Sequence, residues 1–367
     1  MLLFTPGPTP VLEEVRVAMA GPTMHHRTPE FEAIFAQTRQ QLFDLFGMDE
    51  VVMLASSGTG AMEAAVTNLC KKRALVINSG KFGARFGQIA KAHGKELVEL
   101  ETSWDTPVSL EDVQQAFAQY KDIDALFIQV CESAGGLRQE VEKIAQYVKS
   151  HHPQTVVVAD GITAVAVEKI DTTDIDCLIT GSQKALMLPP GLAMMGLSSL
   201  AVEKIGDGVG YYFNLATEIK KQRKNTTAWT AATTLVIGLN KMLQKIAEFG
   251  YENLYIQTQK RAEAVTAAMQ AIELKIYPKS PAKAMTTVSF SDADGLRKIL
   301  KQDYGVNVAG GQDHLKGKIF RINQMGLIDA NELAWVVDSI EKALQDLGVR
   351  TYSGAANAAF NTTYFKK

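Results

Sequence analysis

Between residues 51 and 180, short apolar runs alternate with amphipathic stretches, and this alternation restricts the fold more than any other feature of the chain. Strand patterns fall at 51–54, 74–78, 96–100, 125–129, 155–159 and 177–180, and helical patterns at 61–69, 82–93, 109–119 and 139–150. Strands separated by helices pair in parallel, because each helix carries the chain back across a sheet face. The predicted class is therefore α/β: a mostly parallel central sheet with helices on both faces and several loops on one rim. At 367 residues the chain is too long for one simple core, so a second unit is expected. A long helical pattern at 234–270 leads to it, and alternating segments at 285–290 and 318–322 with helices at 292–303 and 330–347 describe a smaller C-terminal α+β domain. The expected divisions are an N-terminal arm at 1–15, a large domain at 16–250, a small domain at 251–350 and a tail at 351–367. Thr5-Pro6-Gly7-Pro8-Thr9-Pro10 must be extended, since its prolines remove donors and fix their dihedrals. The tail has little periodic pattern and is expected to be partly mobile.

Composition excludes several classes of function. Hydrophobic residues make up 46% and charged residues 21%, and a net charge of -2 gives no reason to invoke nucleic acid or an anionic membrane. No apolar run approaches the roughly 20 residues of a membrane span, and the start leaves no room for a signal-peptide apolar region, so a cytoplasmic location is expected. Cys70, Cys131 and Cys177 lie far apart without Cys-x-x-Cys spacing, so no disulfide framework and no metal site is indicated.

A few residues stand out for chemistry. Lys184 sits between the apolar run Cys177-Leu178-Ile179 and the rigid turn Pro189-Pro190-Gly191, an unusual setting for a solvated charge. The run Thr155-Val156-Val157-Val158-Ala159 delivers Asp160 at the C-terminal edge of a strand, where α/β folds keep their ligands. Ser57-Gly58-Thr59, between a strand and a helix N-terminus, can hold a phosphate, although such turns are common in α/β proteins. Phe82 follows another strand and could offer a stacking face or simply fill the core. Ser133 could donate to a cofactor oxygen or cap a turn. Arg321, in an apolar strand-like stretch, must find an anion: a substrate carboxylate or one of the chain's own acids.

A strand-end aspartate with a strand-end lysine suits pyridoxal phosphate (PLP) chemistry, in which the amine forms a Schiff base and the carboxylate keeps the pyridine nitrogen protonated. The chain resembles the class V aminotransferases of PLP fold type I, within the alanine:glyoxylate and serine:glyoxylate (serine:pyruvate) branch. The resemblance runs from Pro6-Gly7-Pro8-Thr9 to about Gly326, and its most specific element is Gly181-Ser182-Gln183-Lys184-Ala185-Leu186 followed by Pro189-Pro190-Gly191. It implies that Lys184 binds the cofactor aldehyde, Asp160 pairs with the pyridine nitrogen, Phe82 stacks on the ring and Ser133 lies near the ring oxygen. It also implies that Ser57, Gly58, Thr59 and Gln183 serve the phosphate. Thr227 and Thr230 would come from the partner subunit of a homodimer to complete that site. Arg321 would bind the substrate carboxylate, with the Gly7 backbone approaching from the arm.

The implied activity is a ping-pong transamination from a small amino acid, alanine or serine, to a small 2-oxo acid, glyoxylate or pyruvate. Aspartate or phosphoserine as donor, a cysteine desulfurase-like lyase and a non-enzymatic binding protein are the alternatives; the lyase would need a mobile cysteine. Two departures bear on the expectation: Asn323 stands where the family usually has Gly, and Ala231 where Pro is common. His25, His26 and Arg27 are candidates for substrate selection or a dimer contact, and equally for polar surface.

Overall fold

The computed structural model describes residues 1–366. The chain opens with β1 (Leu2–Phe4), α1 (Glu13–Met19) and α2 (Pro29–Phe46), and reaches the alternating region at β2 (Glu50–Leu54). There follow α3 (Gly58–Leu69), β3 (Arg73–Asn78), α4 (Lys81–Ala92), β4 (Glu96–Glu101), α5 (Leu110–Gln119), β5 (Ala125–Gln129) and a small hairpin, β6 (Cys131–Glu132) with β7 (Leu137–Arg138). The region ends with α6 (Val141–His151), β8 (Val156–Asp160), β9 (Cys177–Gly181), β10 (Ala193–Leu197), α7 (Ser199–Ile205) and α8 (Leu215–Gln222). Two long helices, α9 (Thr233–Phe249) and α10 (Tyr251–Ala271), lead to β11 (Lys275–Ile276), β12 (Met285–Ser289), α11 (Ala293–Asp303), β13 (Val306–Gly310), β14 (Ile319–Asn323), α12 (Ala330–Asp346) and α13 (Ala355–Tyr364).

Seven strands form the central sheet in the order β2-β10-β9-β8-β5-β3-β4. From β9 to β4 every pair is parallel, and β10 runs antiparallel to both of its neighbours. The mostly parallel α/β sheet is thus what the alternation predicts. β10 itself went unforeseen because Ala-Met-Met-Gly-Leu contains no β-branched or aromatic residue. Its reversal makes β2 point the same way as β9, so Leu54, Asn78, Gln129, Asp160 and Gly181 all end at one rim. Alternate residues of each strand feed different cores: Val51, Met53, Leu75 and Ile77 enter one cluster, Val52, Leu54, Ala74 and Val76 another. That is the period-2 signature of a sheet buried on both faces.

The pattern at 234–270 is two helices, not one, because Gly250 at φ 88 turns the chain between them. A second sheet has the order β1-β13-β14-β12-β11, and its parallel edge strand comes from the N-terminus, with Leu2 opposite Val306. After β1 the extended segment crosses to the Lys184 turn. Thr9 donates from its N–H to the Gln183 carbonyl at 3.2 Å and from its hydroxyl to the Lys184 carbonyl at 2.7 Å.

The tail departs from the expectation of mobility. Residues 355–364 form α13, which packs on α10 and α12 and fully buries Phe360. Glu341 on α12 accepts the Ala356 N–H at 3.0 Å and the Ser353 hydroxyl at 2.8 Å, so the helix start is anchored. Its sequence, Ala-Ala-Asn-Ala-Ala-Phe, is too plain to show an amphipathic period, and one buried ring adds the apolar contact that the sequence pattern does not announce. Lys367, also part of that expected tail, lies outside the described residues.

Candidate active site

The rim of the central sheet carries a cavity of about 270 Å³ lined by the predicted residues Ser57, Gly58, Thr59, Phe82, Ser133, Asp160, Gln183 and Lys184. Five segments deliver them, the β6–β7 hairpin turn supplying Ser133. The β2–α3 turn brings Ser57 to Thr59 to a helix N-terminus, where N–H groups lack intrahelical partners. α4 begins directly after β3 and presents Phe82 in its first turn. β8 ends on Asp160, and the turn after β9 carries Gln183 and Lys184. That turn is held by Ser182, which accepts the Leu192 N–H at 3.2 Å and donates to the Pro189 carbonyl at 2.7 Å.

Lys184 points its amine at the N-terminal arm, donating to the Pro6 carbonyl at 2.5 Å. A Cβ on Gly7 would lie 2.6 Å from the Lys184 Nζ, so only glycine lets the arm come this close. Burial pushes the Lys184 amine down to about 8; the Asp160 charge opposes that shift and the Arg321 charge adds to it. Asp160 is buried at the end of its strand, where Oδ1 accepts the Ile162 N–H at 2.9 Å. Burial pushes its carboxyl up to about 6, while the Ile162 N–H and the charges of Lys184 and Arg85 pull it back.

Arg321 reaches the site from β14. Its Nη1 donates to the Ser133 carbonyl at 2.6 Å, and its Nε and Nη2 both reach the Gly310 carbonyl, at 3.2 and 2.6 Å. It therefore ties the second sheet to the turn of the β6–β7 hairpin, with no carboxylate among its hydrogen-bond partners in the described residues. Asn323, two residues along the strand, is fully buried and bonds the Met325 backbone in both directions, at 3.3 and 3.2 Å. Its amide closes the turn after β14 and makes no hydrogen bond to Arg321.

Thr227 and Thr230 are not brought into this cavity. They line a separate small pocket with Phe35, Met53 and Tyr212, and the Thr227 hydroxyl donates to the Trp229 carbonyl at 2.5 Å. His25 and Arg27 are exposed and His26 is partly so; none of the three lines the cavity.

Sequence reasoning missed several residues here. Arg85, Cys131, Ile162 and Thr163 share the cavity wall. Glu132 is fully buried beneath it: Oε2 accepts the N–H groups of Phe82 and Gly83, both at 2.9 Å, and Oε1 accepts that of Ala134 at 3.0 Å. This carboxylate caps α4 and ties the turn that bears Phe82 to the turn that bears Ser133. Burial pushes it up to about 7 against those three donors. Gly80 makes room for it, since a Cβ there would meet the Glu132 Cγ at 2.5 Å. The available signal was a lone acid at the end of an apolar strand, facing a glycine-rich turn. All three cysteines are buried and free, and burial pushes the Cys131 thiol up to about 12, far from a reactive thiolate. A larger groove of about 780 Å³, lined by Asp44, Glu168, Tyr251 and Tyr255 among others, has no such convergence of a lysine with a buried carboxylate.

A doubly covered α/β sheet with a half-buried lysine and a buried carboxylate at the ends of adjacent parallel strands defines a transferase of PLP fold type I. The chain belongs to the aminotransferase class-V family, which matches residues 8–340, and it is a transaminase. A Helicobacter pylori protein described as an uncharacterized aminotransferase is 47% identical to it over 367 residues, spanning 100% of both chains. The serine–glyoxylate aminotransferase of Hyphomicrobium methylovorum is 29% identical, over 100% of this chain and 94% of its own. Among solved structures, the subgroup IV aspartate aminotransferase of Thermus thermophilus superposes with a TM-score of 0.88 at 30% identity, over 94% of this chain and 99% of that one.

The family implies PLP, and the residues present fit it. The Gln183 Oε1 is buried without a hydrogen-bond partner in this chain, on the same wall as the open N-terminus of α3. A phosphorylated ring would meet unsatisfied groups there. Among the described residues no helix is long and apolar enough to cross a membrane.

Proposed function

We propose that this transaminase takes its amino group from a small amino acid, alanine or serine, and passes it to glyoxylate or pyruvate in two half-reactions. The observation that carries the reading is the convergence of Lys184 and Asp160 at the ends of adjacent strands, with Arg321 bonded to the Ser133 carbonyl beside them and the Gly7 arm closing against the lysine. PLP, when bound, supplies an electrophilic aldehyde and an electron-accepting ring. Lys184 is the catalytic group: it holds the aldehyde carbon at rest and, once freed, moves a proton at the substrate Cα. An amine drawn down to about 8 is neutral in roughly a tenth of molecules at neutral pH, far more than an ordinary lysine, and the neutral form is the one that acts as a base. Asp160 holds the proton on the ring nitrogen. Phe82 would stack on the ring, Ser133 would stand near its oxygen, and Ser57, Gly58, Thr59 and Gln183 would hold the phosphate. Arg321 binds the substrate carboxylate, fixing which side of the Cα faces the lysine.

The small donor is supported by the likeness to a serine–glyoxylate aminotransferase. Aspartate is the second reading, favoured by the likeness to the Thermus thermophilus aspartate aminotransferase. A homodimer with shared sites is part of this reading, with Thr227 and Thr230, which lie outside their own chain's cavity, reaching the partner's phosphate. The neighbouring surface supports it: Tyr211 is 78% exposed and Tyr212 is 47% exposed, both packed against Trp229.

The test is reduction of the holoenzyme with borohydride followed by peptide mass spectrometry. The pyridoxyl group is expected on Lys184, and K184A is expected to lose both the label and the visible absorbance. A label on another lysine sinks the assignment. A half-reaction screen with alanine, serine and aspartate then separates the donors.

A further inference from the structure

Arg85 lies one helical turn after Phe82 on α4, so both side chains project from one face of the helix. Its guanidinium carbon is 4.7 Å from the centre of the Phe82 ring, and its Nη1 donates to the Thr59 hydroxyl at 3.0 Å. Among the described residues no carboxylate pairs with it, and the Thr59 bond is its one hydrogen bond. A guanidinium offers five N–H donors in a rigid fork, so four remain unused. They belong to a side chain that lines the cavity, and Arg85 and Lys184 are the two cations on that wall. Its charge is felt across the site, pulling down both the Asp160 carboxyl and the Lys184 amine.

A partly buried cation without an anion is costly unless a ligand supplies one. The proposed cofactor carries a phosphate of nearly two negative charges. The groups the resemblance implies for it here, the α3 N-terminus with Ser57, Thr59 and Gln183, carry no formal positive charge, and the helix dipole contributes about half a unit. Lys184 is committed to the aldehyde. Resting on the PLP reading above, we propose that Arg85 is the counter-cation of the cofactor phosphate. The guanidinium lies over the Phe82 ring, and its Nη1 is turned to the same helix N-terminus that would receive the phosphate. An arginine suits this place better than a lysine because it can stack on the ring and donate in two parallel bonds at once.

The experiment is equilibrium titration of the full chain, stripped of cofactor, with PLP and separately with pyridoxal, which lacks the phosphate, followed by absorbance and tryptophan fluorescence. R85Q is expected to weaken PLP binding by about tenfold or more, the factor typical of a lost charge-assisted contact, and to change pyridoxal binding less than about twofold. R85K is expected to fall between wild type and R85Q for PLP, and it carries the comparison alone if R85Q does not fold. Unchanged PLP affinity in the variants overturns the proposal. So does an equal loss for pyridoxal and PLP, which would make Arg85 a support of the aromatic shelf. Wild-type protein that binds neither ligand overturns the cofactor reading itself, whereas tight wild-type binding with indifferent variants leaves that reading standing.

Discussion

Arg321 and Glu132 show how a single side chain's worth is set by what surrounds it. Arg321 is fixed by two backbone carbonyls and has donor capacity left for a carboxylate. Replacing it with alanine should raise KM for the amino acid with a smaller effect on kcat, since a charge-paired contact worth about 1.5–3 kcal/mol is removed. Steady-state kinetics with the preferred donor checks this, and a wild-type KM would mean that another group reads the carboxylate. Arg321 was legible because an arginine in an apolar strand demands an explanation. Glu132 was not, since one acid beside Cys131 and Ser133 looks like any strand end. Its importance lies in three N–H groups from two separate turns, and sequence spacing does not announce such a convergence. Arg85 escaped notice for the same reason: helical periodicity places it on the face of Phe82, but only the fold places α3 opposite.

At the scale of elements, strong periodicity was easy to read. The helices from α3 to α6 and the parallel strands fall within a few residues of their predicted places, because an apolar run with turn residues at both ends has few alternatives. β10 and α13 were hidden by composition. Methionine, glycine and alanine are compatible with many conformations, so burial decided their state. α13 is the sharper case, since its stability rests on Phe360 and on the Glu341 anchor. F360A should cost about 3–5 kcal/mol of stability in the second sheet's core through lost burial and the cavity left behind. Denaturant unfolding measures it, and a change under 1 kcal/mol would mean that α13 contributes little to the fold.

For the whole molecule, the prediction concerns pairing of chains. If Thr227 and Thr230 complete the partner's phosphate site, then K184A and a T227A/T230A double variant, each weak alone, should restore activity when unfolded together and refolded. Random mixing gives about a quarter of wild-type sites, because half the dimers are hybrids with one intact site each. No recovery in the mixed sample, with dimers present, would place each site within one chain. The sequence by itself determined the α/β class, the sheet's parallel sense and the lysine and aspartate at its rim, because local periodicity and residue chemistry act over a few neighbours. Tertiary structure alone decided that an N-terminal strand completes the second sheet, that Gly7 meets Lys184, and that Glu132 and Arg85 join the site. Those contacts join residues scores of positions apart, and a chain's local pattern carries no record of which distant surfaces will fit together.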